Sequence, residues 1–97
     1  MTMTIEDQIE NNKLYATEIK NAVLNKLPRN LDITISECKP FSNEISCWTK
    51  FDVTRDGKNC GSYCFSANMY NDDYPFETVV NAAVWSISDF NTDKRYL

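Results

Sequence analysis

The stretch DVTRDGKNCGSYCFSANMY, residues 52–70, decides the fold, because it holds a hairpin turn and two of the cysteines in its second arm. Asp56-Gly57 is a type I′ turn signal, supplying two residues that tolerate positive φ between alternating arms. A strict two-residue loop would set Val53 opposite Cys60, Phe51 opposite Ser62 and Thr49 opposite Cys64, and would turn Tyr63 and Phe65 to the polar side. One extra residue, placed at Gly61, reverses the phase and sends Tyr63, Phe65, Ala67 and Met69 inward. The bulged register is expected, since it buries two aromatics and a methionine at the cost of one irregular pair.

Before the turn, ISCWTKFDV (45–53) alternates. Ile45, Cys47, Thr49, Phe51 and Val53 share one face, and Ser46, Trp48, Lys50 and Asp52 the other. LDITIS (31–36) alternates in the same way and reads as a half-buried strand, followed by a turn over Lys39-Pro40-Phe41-Ser42-Asn43. Before it, Ile5, Ile9, Ala16, Ile19, Val23 and Leu27 form one stripe at helical spacing. Thr4 with Asp7 makes a capping-box pattern, and Pro28 stops the helix, so it is expected over about 4–27. After the polar turn Asn71-Asp72-Asp73, Pro75 suits a first helical position. Phe76, Val79, Val80, Ala83, Val84, Ile87 and Phe90 then give a second buried stripe. NTDKRYL (91–97) reads as a flexible tail.

The order is α-β-β-β-α, an α+β fold: a three-stranded antiparallel meander with both helices on one face and the other face uncovered. At 97 residues the chain has room for one core, and 42% hydrophobic content is enough to build it. Glu6, Asp7 and Glu10 near the start leave no basic-then-apolar leader, so a cytoplasmic location is expected, with Cys38, Cys47, Cys60 and Cys64 as free thiols.

Little catalytic chemistry is written in these residues. There is no histidine, which removes Ser/His/Asp sets and the commonest activator of a cysteine nucleophile. The cysteine spacing C-x8-C-x12-C-x3-C lacks the short knuckles of structural zinc sites. In the bulged register Cys47 points into the core, while Cys64 and Cys38 lie on the open face. With only Gly57 and Gly61 there is no phosphate-cradling loop. The expectation is a non-enzymatic protein without a cofactor or metal, a thiol or metal enzyme being the last alternative.

The open face carries the binding signal. Trp48 is expected mid-strand there, ringed by Thr34, Ser36, Ser46, Lys50, Ser66 and Asn68, with Tyr70 at one end. Small polar neighbours around a central Trp resemble a protein-binding patch. Trp85 lies opposite the core stripe of the second helix and offers a second anchor, for a partner or a second copy; Leu14 also lies outside its helix's stripe.

Helix-strand-strand-strand-helix is also the order of the double-stranded RNA-binding domain, and FETVVNAAVWSISDF (76–90) resembles that family's Ala-rich second helix through Ala82, Ala83 and Ile87. The family reads phosphates with a Lys-rich start to that helix. Here the corresponding residues are Asp72, Asp73, Tyr74, Pro75, Phe76 and Glu77, acidic where the family is basic. A nucleic-acid-binding module would have to use Lys50, Arg55, Lys58, Lys94 and Arg95, against a net charge of −4. The acidic edge of Asp72, Asp73 and Glu77 suits instead a surface that occupies another protein's nucleic-acid groove. In size, acidity and absence of catalytic motifs the chain resembles small phage-encoded inhibitors such as anti-CRISPR proteins, which implies binding and blocking of a host nucleic-acid-handling complex.

Overall fold

The computed structural model describes residues 3–42 and 44–91. Its elements are α1 (Ile5–Lys26), β1 (Leu31–Pro40), β2 (Cys47–Arg55), β3 (Lys58–Ala67), α2 (Phe76–Ser88) and a 3-10 turn at Asp89–Asn91. The strands form one antiparallel sheet in the order β1-β2-β3. Both helices contribute to a single core on one face of it, giving the expected α-β-β-β-α arrangement.

α1 begins where its cap satisfies the orphan backbone donors: the Asp7 N–H donates to Thr4 Oγ1 at 3.0 Å and the Thr4 N–H to the Asp7 carboxylate at 3.4 Å. It stops at Leu27, whose extended backbone precedes Pro28. Ala16, Ile19 and Val23 are fully buried. Ile5, expected in the stripe, is 66% exposed. The Cys47 thiol, at the start of β2, reaches the Ile9 carbonyl, so the first turn of α1 overhangs the sheet.

Strand β1 departs most from the sequence reading. It runs on through Pro40 instead of ending at Ser36, because a bulge lets it continue: Ile35 pairs with Phe51 and Glu37 with Lys50, leaving Ser36 as the extra residue. Pro40 is tolerated because it closes an edge strand, where its missing N–H interrupts no ladder. The turn lies later than expected, with the Phe41 N–H donating to the Ser46 carbonyl at 3.1 Å. After the bulge, Cys38 pairs with Thr49 and shares its helix-facing side, its sulfur 3.7 Å from Thr49 Oγ1. The expectation that Cys38 lies on the open face is therefore corrected.

The hairpin adopts the expected phase. Asp56 and Gly57 have φ of +52° and +82°, as a type I′ turn requires. Phe51 pairs with Tyr63, Thr49 with Phe65 and Cys47 with Ala67. The extra residue is Cys60, one position before the expected Gly61, which pairs with Val53 at φ +155°. Phe65 packs edge-to-face on Phe51 with ring centres 4.9 Å apart, and Tyr63 stacks beside Phe65. Met69, expected inward, is 47% exposed, because β3 ends at Ala67 and a turn begins at Asn68.

Asn12 is the fully buried polar group that joins the parts. Its Nδ2 donates to the Ile45 carbonyl at 2.9 Å and its Oδ1 accepts from the Met69 N–H at 2.8 Å. One side chain of α1 thus pins the segments before β2 and after β3. In α2, Val80, Ala83 and Ile87 are buried, and Pro75, expected at the first helical position, is instead the cap residue before Phe76. Asn91 closes the 3-10 turn, whereas residues 92–97 of the expected tail lie outside the described residues.

Candidate protein-binding face

Alternation in β2 puts Cys47, Thr49, Phe51 and Val53 in the core, so Trp48, Lys50 and Asp52 point to the side that neither helix covers. The register sets three rows across this face: Thr34, Asp52 and Ser62; Glu37, Lys50 and Cys64; Lys39, Trp48 and Ser66. Ser62 donates to Asp52 at 3.0 Å within the first row. Charges of both signs alternate along the face, which favours a specific contact over diffuse attraction to one sign.

Trp48 is half-buried, with the Phe41 ring edge-to-face at 6.2 Å. The Asn68 amide donates to Ser46 Oγ at 3.1 Å beyond it. The structure thus brings Trp48, Ser46, Lys50, Ser66 and Asn68 together as expected. Ser36 lies in the bulge, its hydroxyl donating to the Lys50 carbonyl at 3.4 Å. Thr34 pairs with Asp52, two rows from Trp48. Tyr70 leaves the patch, because its hydroxyl accepts from Asn11 Nδ2 on α1 at 3.0 Å. Glu37, Lys39 and Phe41 join the patch unforeseen. The bulge brings them there, because alternation resumes after Ser36 with one residue skipped.

The acidic edge is smaller than its composition suggests. Asp72 and Asp73 are exposed, the latter's N–H held by Asn71 Oδ1 at 3.0 Å. Glu77 is paired with Lys26 at 3.4 Å, and Lys26 also donates to Asn81 at 3.1 Å. Of the cations, Arg55 and Lys58 border a recess of about 360 Å³ at the hairpin tip, set off from Lys50 by Asp52. Lys94 and Arg95 lie outside the described residues.

Trp85 is 77% exposed on α2. Beside its helix runs a second concavity of about 340 Å³, where Tyr63 and Phe65 of β3 face Tyr74, Thr78, Val79 and Ala82.

The thiols are spread across environments. Cys47 is fully buried, and desolvation is the main cause holding it above the ordinary 9.0, with neighbouring Cys38 adding to the shift. Cys64 is exposed on the open face. Among the described residues no group of three or more His, Cys, Asp or Glu side chains could hold a metal ion, and no helix is long and apolar enough to cross a membrane. No protein-family model, curated protein or solved structure matches the chain.

Proposed function

We propose that this chain is a non-enzymatic, cytoplasmic protein-binding domain that acts by occupying a surface of a larger protein. The observation that carries this reading is the sheet face that neither helix covers, centred on Trp48, with Phe41 against its ring and Lys39, Lys50 and Glu37 around it. A central aromatic supplies contact area, and its small polar neighbours, Ser46 and Ser66, close around it at low desolvation cost. Charge interspersed at this spacing sets partner and register. The target class we infer is a protein complex that handles nucleic acid, because the chain's net charge of −4 and the exposed pair Asp72-Asp73 complement a basic groove. Action as a small inhibitor of the phage-encoded kind belongs to the same proposal.

The test is capture of partners from host lysate by the full chain, with and without nuclease, beside Trp48→Ala and Trp85→Ala. A nuclease-resistant partner that Trp48→Ala loses and Trp85→Ala keeps supports the reading, and its affinity for purified Trp48→Ala should fall by about 2 kcal/mol. Recovery of nuclease-sensitive material alone would replace it with direct nucleic-acid binding, salt-sensitive through Lys39, Lys50, Arg55 and Lys58.

A further inference from the structure

The two edges of the sheet are built differently. β1 carries the devices that block pairing with another strand: the bulge at Ser36, the charges of Glu37 and Lys39, and Pro40. Among the described residues β3 is the opposite edge, and it has none of these devices over residues 62–67, Ser-Tyr-Cys-Phe-Ser-Ala, which carry no charge and no proline. Its bulge at Cys60 lies before this run. Beside it the concavity bordered by Tyr63, Phe65, Tyr74, Val79 and Ala82 leaves aromatic surface open along the same edge. Thr78 and Ala82 are spaced as one helical row, and Trp85 follows Ala82 by three residues.

We propose that β3 pairs antiparallel with β3 of a second copy of this chain, about a two-fold axis at Cys64, forming a continuous six-stranded sheet. The self-complementarity that a two-fold contact demands is met residue by residue. Paired residues must lie on the same face, so an axis at Cys64 sets Tyr63 opposite the second copy's Phe65, Ser62 opposite its Ser66 and Cys64 opposite its Cys64. Two aromatic pairs form on the helix side and two hydroxyl pairs on the open side. Charge permits this union of like molecules: the contacting segment is neutral in a chain of net charge −4.

A stable interface buries about 800 Å² per partner, roughly an eighth of the chain's 6511 Å². Trp85 at 77% and Tyr74 at 60% exposure, aromatic side chains that bury about 150–250 Å² each, add to what the strand and the concavity contribute. Because the axis is perpendicular to the sheet, the helices of both copies lie on one side and the two Trp48 faces join on the other. The dimer is independent of the protein-binding reading, and its test needs no partner.

The test is sedimentation velocity on the reduced full chain from about 1 to 200 μM, followed by oxidation with diamide. Diamide takes up the two electrons and two protons released as two thiols form one disulfide. Cα atoms of directly opposed strand residues lie about 4.5–5.5 Å apart, within the span a disulfide bridges. The expected result is a species of twice the 11.2 kDa chain mass, favoured at higher concentration. Diamide should trap it covalently in the wild type and in a variant keeping Cys64 alone, but not in Cys64→Ser, which still sediments as a dimer. Trp85→Asp should raise the dimer dissociation constant at least tenfold. A monomer at every concentration, or a dimer that Cys64 does not trap, overturns the proposal.

Discussion

The ring of Phe90 lies 3.2 Å from where a Cβ on Gly61 would stand. The 3-10 turn after α2 is thereby seated on β3 beside the bulge that sets the strand's phase. Gly61 is suited twice over, by its φ of +155° and by the absence of a side chain under the ring.

Gly61→Ala should therefore lose about 1–3 kcal/mol of stability, read as a lower urea midpoint. Gly57→Ala also strains a positive φ, +82°, but meets nothing within 4 Å. In a Phe90→Ala background the cost of Gly61→Ala should shrink by about 0.5 kcal/mol or more, while that of Gly57→Ala stays the same. Equal costs in both backgrounds would mean that the ring contact carries none of the effect.

Asn12→Ala should be the most destabilising polar substitution, at about 2–4 kcal/mol, because it strands the Ile45 carbonyl and the Met69 N–H in one step. Asn11→Ala, one residue away and only half-buried, should cost about 0.5 kcal/mol or less. Hydrogen exchange gives a second readout: the Met69 amide should lose protection in Asn12→Ala ahead of the β2 amides.

Much of this architecture is legible in the residues, for reasons that can be located. The helices announce themselves by periodic stripes and by Thr4, Pro28 and Pro75, and the β3 phase follows from the need to bury Tyr63 and Phe65. The bulge in β1 is a tertiary compromise that no glycine marks at Ser36, so alternation alone ends the strand there and puts Lys39 in a turn. The role of Asn12 is not legible in the sequence, because a polar residue beside a helix's apolar stripe looks the same whether it meets water or two backbone groups. Of the binding face, Trp48, Lys50 and Ser66 follow from alternation within β2 and β3 alone. Glu37, Lys39 and Phe41 required the corrected register of β1.

Stability should fall at alkaline pH. Burial raises Cys47 above its ordinary 9.0, and Tyr15 and Tyr63 above 10.0, desolvation being the largest cause for each. A raised acid pKa favours the protonated form in the folded chain, so below pH 9 its contribution is fully present. As pH rises, the unfolded chain loses these protons before the folded chain does. Stability then declines, by up to about 1.4 kcal/mol per pH unit for each such group. Cys47→Ala should flatten the first part of this decline, beginning near pH 9. Urea titrations at half-unit intervals from pH 8 to about 10.5 check the difference.

The two tryptophans report separately on the two surfaces. Trp85, at 77% exposure, should be quenched readily by iodide, whereas Trp48, half-buried under Phe41, should be quenched weakly and emit at shorter wavelength. Trp85→Phe isolates the Trp48 signal, and Phe41→Ala in that background should shift it to the red and increase its quenching. Binding of a protein partner on the sheet face should shield the Trp48 of Trp85→Phe further. Dimerisation at the β3 edge should shield Trp85 as concentration rises. If Trp48 in Trp85→Phe quenches as readily as free tryptophan, the cover that Phe41 provides is absent, and the sheet face lacks the ordered aromatic centre on which the binding proposal rests.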